Sequence, residues 1–486
     1  MYDIIIDPNP IEVVNPMIYG QFIEFIENCI DGGIYDKGSR LSDEKGIRQD
    51  VLEKVKQLNP PILRWPGGTY ANVFHWMDSI GPLEQRKKRK NIIWGGVVDG
   101  SFGTAEFIEY CRAIGTEPML CVNMASGTPE EAANWVEYCN GTEDTYFANL
   151  RRSHGYEEPF NVKYWCIGNE SYAQPDLGKQ HDVEVYIRDA WEFTKHMKLT
   201  DNNIKLIFVG DGNNSEWNGR VLDALNQVCD YLSLHFYASE GNKGEYGPFG
   251  DLNTILLKIG GAIRLIDKYP DKVEDFDRWY RFPPRQGKIK LCIDEWNIWP
   301  VENSTDDDRY GLKCTYNWRD ALWTACMLNL LINNAGHIEI ANLAQMVNVL
   351  APIRADENGS YLQTTFYPLA YYRKFMGNRL LACKADIPKF NAGEAGMLPA
   401  ISVAATLCED CSVSLALVNI LKDEAMQLNI AGGYKICEVI EISCESFDTR
   451  NTFESRDNVK VKSFKVTQPQ SGYALPPATI SLLKLR

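Results

Sequence analysis

The sequence predicts an α/β fold, a (β/α)8 TIM barrel followed by a jelly-roll-like β-sandwich that also takes the N-terminal strand. Three observations predict it. Apolar runs of strand length alternate eight times with amphipathic helical segments between residue 17 and about residue 360, the pattern of a parallel sheet with helical crossovers. Nearly every run ends in a polar or charged residue, as barrel strands do where they build a site at their C-terminal ends. Past about residue 380 the helical period vanishes and short β-like runs are separated by turn residues. The expected units are a barrel over 18–380 and a sandwich made of 1–17 plus 381–486.

In chain order, Asp3-Ile4-Ile5-Ile6 with prolines at 8, 10 and 16 reads as an extended segment. Residues 17–24 read as the first barrel strand, and 48–58, apolar at Val51, Val55 and Leu58, as a helix. Residues 61–68 form a second strand breaking into the turn Pro66-Gly67-Gly68. A helix is expected near 104–115 and a third strand at 119–123. Thr128-Pro129-Glu130-Glu131 carries a capping box with proline at the first helical position. Strand four runs into Asn169-Glu170. A helix at 182–197, strand five at 204–211, a helix at 221–228, strand six at 231–237 and a helix at 252–266 follow. Strand seven carries Glu295, 318–334 is a long helix, and 338–345 is strand eight. Further β-like runs lie at 401–406, 412–418, 427–430, 437–442, 463–466 and 479–485. The sandwich strands lack an aromatic platform, so packing against the barrel is their expected role. An open doubly wound sheet is disfavoured because no G-x-G-x-x-G follows a strand.

Composition narrows the function. The 486 residues are 24% charged with a formal net charge of −15, which repels phosphate backbones and argues against nucleic acid. The one basic run, Arg86-Lys87-Lys88-Arg89-Lys90, reads as a solvated loop. No apolar run approaches the roughly 18 residues of a membrane span, and the N-terminus has no signal-peptide pattern. The expected compartment is therefore the cytoplasm, unless export follows another route. Fourteen cysteines, several inside apolar runs, fit buried free thiols in a reducing compartment. Cys408-Glu409-Asp410-Cys411 reads as a tight turn rather than a metal or redox pair. The six histidines form no H-x-x-x-H pair, so neither a metal nor a cofactor is expected.

The strand ends bring together Glu24, Arg64, Asn123, Asn169, Glu170, Asp211, His235, Tyr237, Glu295 and Gln345. Two glutamates on opposed strands are what a retaining glycosidase needs, one as acid/base and one as nucleophile roughly 5 Å away. The Asn169 amide is placed to hold a sugar hydroxyl. Trp296 and Trp299 offer flat faces for a sugar ring. Arg64 can hold a carboxylate ionised, and Tyr237 can donate a hydrogen bond to it. These features do not say which glutamate plays which part.

Trp165-Cys166-Ile167-Gly168-Asn169-Glu170 and Asp294-Glu295-Trp296-Asn297 resemble the acid/base and nucleophile motifs of glycoside hydrolase family 51, the α-L-arabinofuranosidases. The resemblance includes Gly20-Gln21-Phe22-Ile23-Glu24, Arg64-Trp65-Pro66-Gly67-Gly68, Ser233-Leu234-His235 and Leu343-Ala344-Gln345-Met346. It implies a retaining exo-enzyme that releases terminal α-L-arabinofuranosyl residues from plant-type carbohydrate, without a metal, and often a hexamer. It also implies Glu170 as acid/base and Glu295 as nucleophile. Glu24, Arg64, Asn169, Tyr237 and Gln345 would bind the furanose or orient the nucleophile, and His235 belongs to the same set. Two positions depart from the family pattern. Thr69 stands where asparagine is usual, and Ser171-Tyr172-Ala173-Gln174-Pro175 replaces the usual Met-Asp-Gly-Pro-Trp. The loop 300–316 is also shorter than usual. These changes surround the sugar, so a β-D-galactofuranoside or a β-glucan stays open as an alternative substrate. A silent sugar-binding protein is argued against by the presence of both carboxylates.

Overall fold

The computed structural model describes residues 1–173, 177–179, 182–239, 244–300, 305, 308 and 310–486. Among them eight parallel strands close into a barrel. In chain order they are β2 (Gly20–Phe22), β3 (Ile62–Trp65), β4 (Glu117–Cys121), β5 (Tyr164–Ile167), β6 (Lys205–Val209), β7 (Tyr231–Ala238), β8 (Lys290–Ile298) and β9 (Ile338–Ala344). Each pairs in parallel with its sequence neighbour, and β9 returns to β2 to close the ring. A small apolar cluster that includes Ile62, Met119, Cys166, Ile207, Cys292 and Ile340 draws one residue or more from most of these strands. It packs one end of the ring as a core rather than leaving a pore.

The first expected strand divides in two. Asn15 accepts a hydrogen bond from the Met17 amide, Pro16 presets φ, and Pro16–Tyr19 turns into a 3-10 helix before Gly20 starts the strand. The helices overlap the segments that the apolar period places: α1 (Gln49–Leu58), α2 (Thr104–Ile114), α3 (Pro129–Asn140), α5 (Val183–Thr200), α6 (Ser215–Leu225), α7 (Gly247–Ile266) and α8 (Trp318–Asn333), with α6 and α7 starting before the expected 221 and 252 and α6 ending before 228. Only half of the expected capping box forms. Thr128 Oγ1 accepts from the Glu131 amide at 3.0 Å, but the Glu131 carboxylate turns away to His75 Nδ1 at 3.0 Å. Two helices carry no signal strong enough to be read: α4 (Tyr146–Ser153) and α9 (Phe366–Phe375). The basic run is less free than expected. Arg86 forks onto Glu106 at 2.8 and 3.0 Å, while Lys87 and Arg89 both pair with Asp78.

Residues 2–13 form β1 (Tyr2–Val13), which lies between β10 (Arg379–Ala385), antiparallel, and β13 (Met426–Ala431), parallel. With β11 (Ile401–Leu407), β12 (Val413–Asn419), β14 (Ile436–Ser443), β15 (Lys460–Gln470), β16 (Gly472–Leu475) and β17 (Thr479–Leu485) they make one nine-stranded sheet, in the order β15-β14-β17-β12-β11-β10-β1-β13-β16. Its two ends fold toward each other. Tyr473 of β16 donates to Glu441 of β14 and meets Ser481 of β17, both at 2.8 Å. Ile4, Ile6, Leu415, Leu428, Val439 and Leu483 share the core thus enclosed. Cys408–Cys411 is the hairpin turn between β11 and β12, closed by Cys411 N–H to Cys408 O at 3.0 Å.

The alternation of β12 explains how the sheet meets the barrel. Val413, Leu415 and Leu417 face the enclosed core, whereas Ala416 and Val418 face the barrel's core. Between the two lies α8, buried on nearly every face, as a helix apolar all round must be. Trp318 Nε1 donates to Ala478 O at 2.7 Å and Asn329 to Ser402 at 3.0 Å, fixing helix to sheet. Ile4 is 1% exposed, so Ile4→Ala is expected to cost about 2–4 kcal/mol. A lowered thermal unfolding midpoint checks this; an unchanged midpoint would mean that β1 is not a structural strand.

Candidate active site

Arg64 stands near the end of β3, fully buried, with its guanidinium over the Phe22 ring at 4.6 Å. One terminal nitrogen donates to Glu295 Oε1 at 2.7 Å and the other to Asn169 Oδ1 at 2.6 Å. Its Nε lies 3.4 Å from Asp294 Oδ2. One cation therefore gathers residues from β8 and from the end of β5.

Two neighbouring residues of one strand normally point to opposite faces. Here Asp294 and Glu295 both reach Arg64. The register of β8 slips against both neighbours at this point, between Cys292 and Glu295 and between Ile293 and Trp296, and such a bulge re-aims side chains. Past the bulge the strand alternates again, Glu295 pairing with His235 and Trp296 with Phe236, and this alternation corrects the expectation for Trp296. Its ring is fully buried, packs 6.2 Å from Trp323 of α8 and does not line the cavity. It cannot offer a face to a sugar.

Glu295 is held on both oxygens, since Tyr237 Oη donates to Oε2 at 2.6 Å. Glu170, in left-handed backbone at φ 44°, places Oε1 2.9 Å from His235 Nδ1. Ligand atoms of Glu170, His235 and Glu295 lie within 4.8 Å of one another. That is the spacing of two carboxylates acting on one bond with retention, roughly 5 Å. Among the described residues this is also the one cluster whose spacing suits a cation. The Arg64 guanidinium and the Lys179 ammonium, 3.6 Å from Glu170 Oε2, already bring positive charge to it.

Behind the pair, His235 Nε2 lies 3.4 Å from Asp294 Oδ1, which also accepts from Ser233. Burial lowers the proton affinity of His235, but the charges of Glu295 and Asp294 and its hydrogen bonds outweigh burial and push it up to about 10. Burial raises Glu170, yet the hydrogen bond and charge of His235, with Lys179 and Arg64, pull it down to about 2. The two groups share one proton and titrate as a pair. Glu24 behaves oppositely. Burial lifts it to about 7, although it accepts from the Tyr70 amide, Trp94 Nε1 and Gln345 Nε2 at 2.8, 3.0 and 3.1 Å. A carboxyl balanced there can donate or accept.

The cavity over these groups holds about 470 Å³. Thr69, Trp94, Tyr237, Trp299, Tyr310 and Gln345 wall it, with Glu24, Glu170, Lys179 and Glu295 at its base. Its floor depends on two glycines. A Cβ on Gly67 would fall 2.7 Å from Glu24 Cγ, and one on Gly68 2.8 Å from Glu295 Oε1. Asn169 Nδ2 is buried and has no hydrogen-bond partner among the described residues, a donor that a ligand oxygen would satisfy. A larger cavity of about 720 Å³ beside Lys45, Glu109 and Tyr156 lies on the outer face, where these charges pair with one another.

Of the sequence candidates, Glu24, Arg64, Thr69, Asn169, Glu170, His235, Tyr237, Glu295 and Gln345 converge here. Asn123 and Asp211 do not. Asn123 Oδ1 caps the amides of Ala125 and Ser126, and Asp211 Oδ1 accepts from the Asn213 amide, so both close turns. Of the departing segment, Ser171 is buried, Tyr172 packs on Trp217 and Ala173 lines the cavity. Gln174, Pro175 and most of 301–309 lie outside the described residues, as does His181. Trp94, Tyr310 and Lys179 are not among the sequence candidates, and Asp294 and Ser233 appear there only inside matched motifs. For Asp294 the adjacent pair of acids was a usable signal. Trp94 and Tyr310 sit in loops, and Asn91 places Trp94 by accepting from its amide at 2.9 Å.

The ion cluster makes stability depend on pH with opposite signs for two groups. His235 is raised from 6.5 to about 10, so its contribution is full below pH 6.5 and is lost as pH rises toward 10. Asp294 is lowered from 3.8 to about 2, so its contribution is full above pH 3.8 and is lost as pH falls toward 2. The stability gap between wild type and His235→Gln should therefore shrink from pH 6.5 to 10. That for Asp294→Asn should shrink below pH 3.8. Urea midpoints across the pH range check both, and a gap independent of pH would contradict the assignments.

Known proteins are similar to this chain over most of its length. Residues 54–253 match the family described as the alpha-L-arabinofuranosidase 1 domain, and residues 294–478 match the alpha-L-arabinofuranosidase C-terminal domain. A probable alpha-L-arabinofuranosidase C of Aspergillus niger is 35% identical over 97% of this chain and 94% of its own. An intracellular exo-alpha-(1->5)-L-arabinofuranosidase of Halalkalibacterium halodurans is 33% identical over 90% of this chain and 89% of its own. The alpha-L-arabinofuranosidase of Thermotoga maritima in an arabinose complex matches with a TM-score of 0.89 and 34% identity, over 100% of this chain and 99% of that one.

Proposed function

The chain belongs to the α-L-arabinofuranosidases of glycoside hydrolase family 51, and we propose that Glu295 is its nucleophile and Glu170 its acid/base. The enzyme is a retaining exo-glycoside hydrolase that releases terminal α-L-arabinofuranosyl residues. The observation that carries the role assignment is the unequal treatment of two carboxylates within 4.8 Å of each other. Glu295 is clamped by Arg64 and Tyr237, which fixes and aims its carboxylate oxygens. Glu170 shares a proton with His235 across 2.9 Å, which suits a group that must both give and take one.

In the first half-reaction a Glu295 oxygen attacks the anomeric carbon while Glu170 gives its proton to the glycosidic oxygen. The leaving alcohol departs and the sugar is esterified on Glu295. In the second, Glu170 takes a proton from water, whose oxygen displaces Glu295 on the face the alcohol left. Two inversions give net retention. The free Nδ2 of Asn169 is suited to a ring hydroxyl that carries partial charge in the transition state. Glu24 and Gln345, bonded to each other at 3.1 Å, are suited to the remaining hydroxyls. Thr69 lines the same wall, and Trp94, Trp299 and Tyr310 give the ring apolar surface.

We further propose that 18–380 and 1–17 plus 381–486 are the two units, supported by the separate core that β1 shares with β10 to β17. The substrate is carbohydrate. A homo-oligomer, in the form of a hexamer, is supported by exposed apolar side chains such as Leu257 and Val13, and light scattering tests it. Among the described residues no helix is long and apolar enough to cross a membrane. A cytoplasmic location is supported by the fourteen cysteines, none of which forms a disulfide among the described residues, and by the intracellular naming of the bacterial relative.

Glu295→Gln should reduce turnover of an aryl α-L-arabinofuranoside by about 10³-fold or more with the melting temperature retained. Turnover at the wild-type rate would overturn the nucleophile assignment. Glu170→Ala should keep most of kcat/KM on a dinitrophenyl leaving group, which needs no proton, and lose it on a basic alcohol. Equal losses on both would remove Glu170 from the acid/base role. A panel that adds aryl β-D-galactofuranosides and β-glucosides ranks the substrate by kcat/KM.

A further inference from the structure

The geometry points to Lys179 as the positioning residue that sets how readily Glu170 holds its proton, and so how the two half-reactions are balanced. This rests on Glu170 being the acid/base, as read above. Lys179 sits in the loop after β5. Its side chain is 2% exposed, against 24% for Glu170. Its ammonium lies 3.6 Å from Glu170 Oε2 and donates to Asn169 O at 3.4 Å. The two oxygens of Glu170 therefore face different cations, Oε1 toward His235 and Oε2 toward Lys179.

The loop is built to deliver this charge. Asn72 Nδ2 donates to Leu177 O at 2.9 Å. Gly178 follows at φ 75°, where a Cβ would fall 2.7 Å from Asn72 Cγ and 2.8 Å from Ala125 Cβ. Only a glycine lets the chain come this close before Lys179 turns inward. The other groups acting on Glu170 come from other elements: His235 from β7, Glu295 from β8, Arg64 from β3, Asp211 beyond β6, and the hydroxyls of Tyr172 and Tyr237. His235 exchanges its proton with Glu170, and Arg64 is committed to Glu295, Asp294 and Asn169. Lys179 is the cation whose ion-pair partner is Glu170 itself.

A fixed positive charge beside Glu170 favours the carboxylate, the base of the second half-reaction, and disfavours the acid of the first. At 3.6 Å in a partly dry site, one unit charge changes a carboxyl's proton affinity by about tenfold or more. Lys179 thus holds the acid at a lower pH range and keeps the base ready when water must be activated.

The test is the pH profile of full-length wild type, Lys179→Met and Lys179→Arg on an aryl α-L-arabinofuranoside, each with its melting temperature. Removing the charge should move the alkaline limb of kcat/KM upward by about one pH unit or more, because Glu170 then stays protonated to higher pH. With a substrate limited by the second half-reaction, the acid limb of kcat should move upward too. Lys179→Arg keeps the charge and should keep the wild-type limbs. An unmoved limb in Lys179→Met, or an equal shift in both variants, would overturn the inference. If Lys179→Met does not melt cooperatively, Lys179→Gln carries the same comparison. A wild-type enzyme inert on every arabinofuranoside would instead refute the reading beneath it.

Discussion

Everything at the carboxyl end of the barrel leans on the charge of Arg64. Three acidic groups, Glu24, Asp294 and Glu295, are buried around one cavity, and burying even one ionised carboxylate costs several kcal/mol unless it is paired and hydrogen-bonded. Arg64 meets Asp294 and Glu295 and uses a remaining donor on Asn169. Its planar fork suits this, and a lysine would not replace it. The order of the whole site follows. Asp294, ionised by Arg64, holds His235. His235 in turn holds Glu170, its Nδ1 lying 2.9 Å from Oε1. Glu24 is left without direct contact to the cation and is pushed by burial toward neutrality. Asp294, beside the guanidinium, is held low, to about 2, and Glu24, away from it, is raised by burial to about 7.

The fold was legible because its signals are local. Apolar runs ending in polar residues located the eight strands, and the same runs named Glu170 and Glu295, since a side chain at a strand's C-terminal end has one place to go. What escaped were features set by context. Trp296 is an aromatic next to Glu295, which makes it look like a sugar platform, but alternation turns it to the other face of the strand; the bulge that brings Asp294 to Arg64 beside Glu295 is written in the pairing of β8 with both neighbours. Trp94 and Tyr310 come from separate loops and meet edge to face at 5.6 Å. No periodicity foretells that. Asn123 and Asp211 had the right positions but spent their oxygens on turns. Helix α4 was missed because its one strong residue, Arg151, looks like a surface charge; it is fully buried and donates to the carbonyls of Tyr138, Gly141 and Tyr156.

The sandwich contributes no described side chain to the lining of the cavity. Its effect on the site passes through α8, which is packed between the sheet and the barrel. Trp323 of that helix backs Trp296, the residue next to Glu295. A disturbance of β12 or β17 therefore has a short, closely packed route to Glu295, and close-packed interiors transmit such strain.

The placement of β1 also has a consequence for how the molecule is made. This strand is synthesised well before its neighbours in the sheet, β10 and β13, which come more than 360 residues later. At about 5–20 residues per second the ribosome takes on the order of 20–70 s to produce the first of them. During that time the barrel can close around β2 to β9, while Ile4 and Ile6 remain on an unpaired edge, the kind of segment that invites association with other chains. The aspartates and prolines of β1, at 3, 7, 8 and 10, are the residues that discourage such pairing. The charge and proline content of this strand thus serves the nascent chain as much as the finished enzyme.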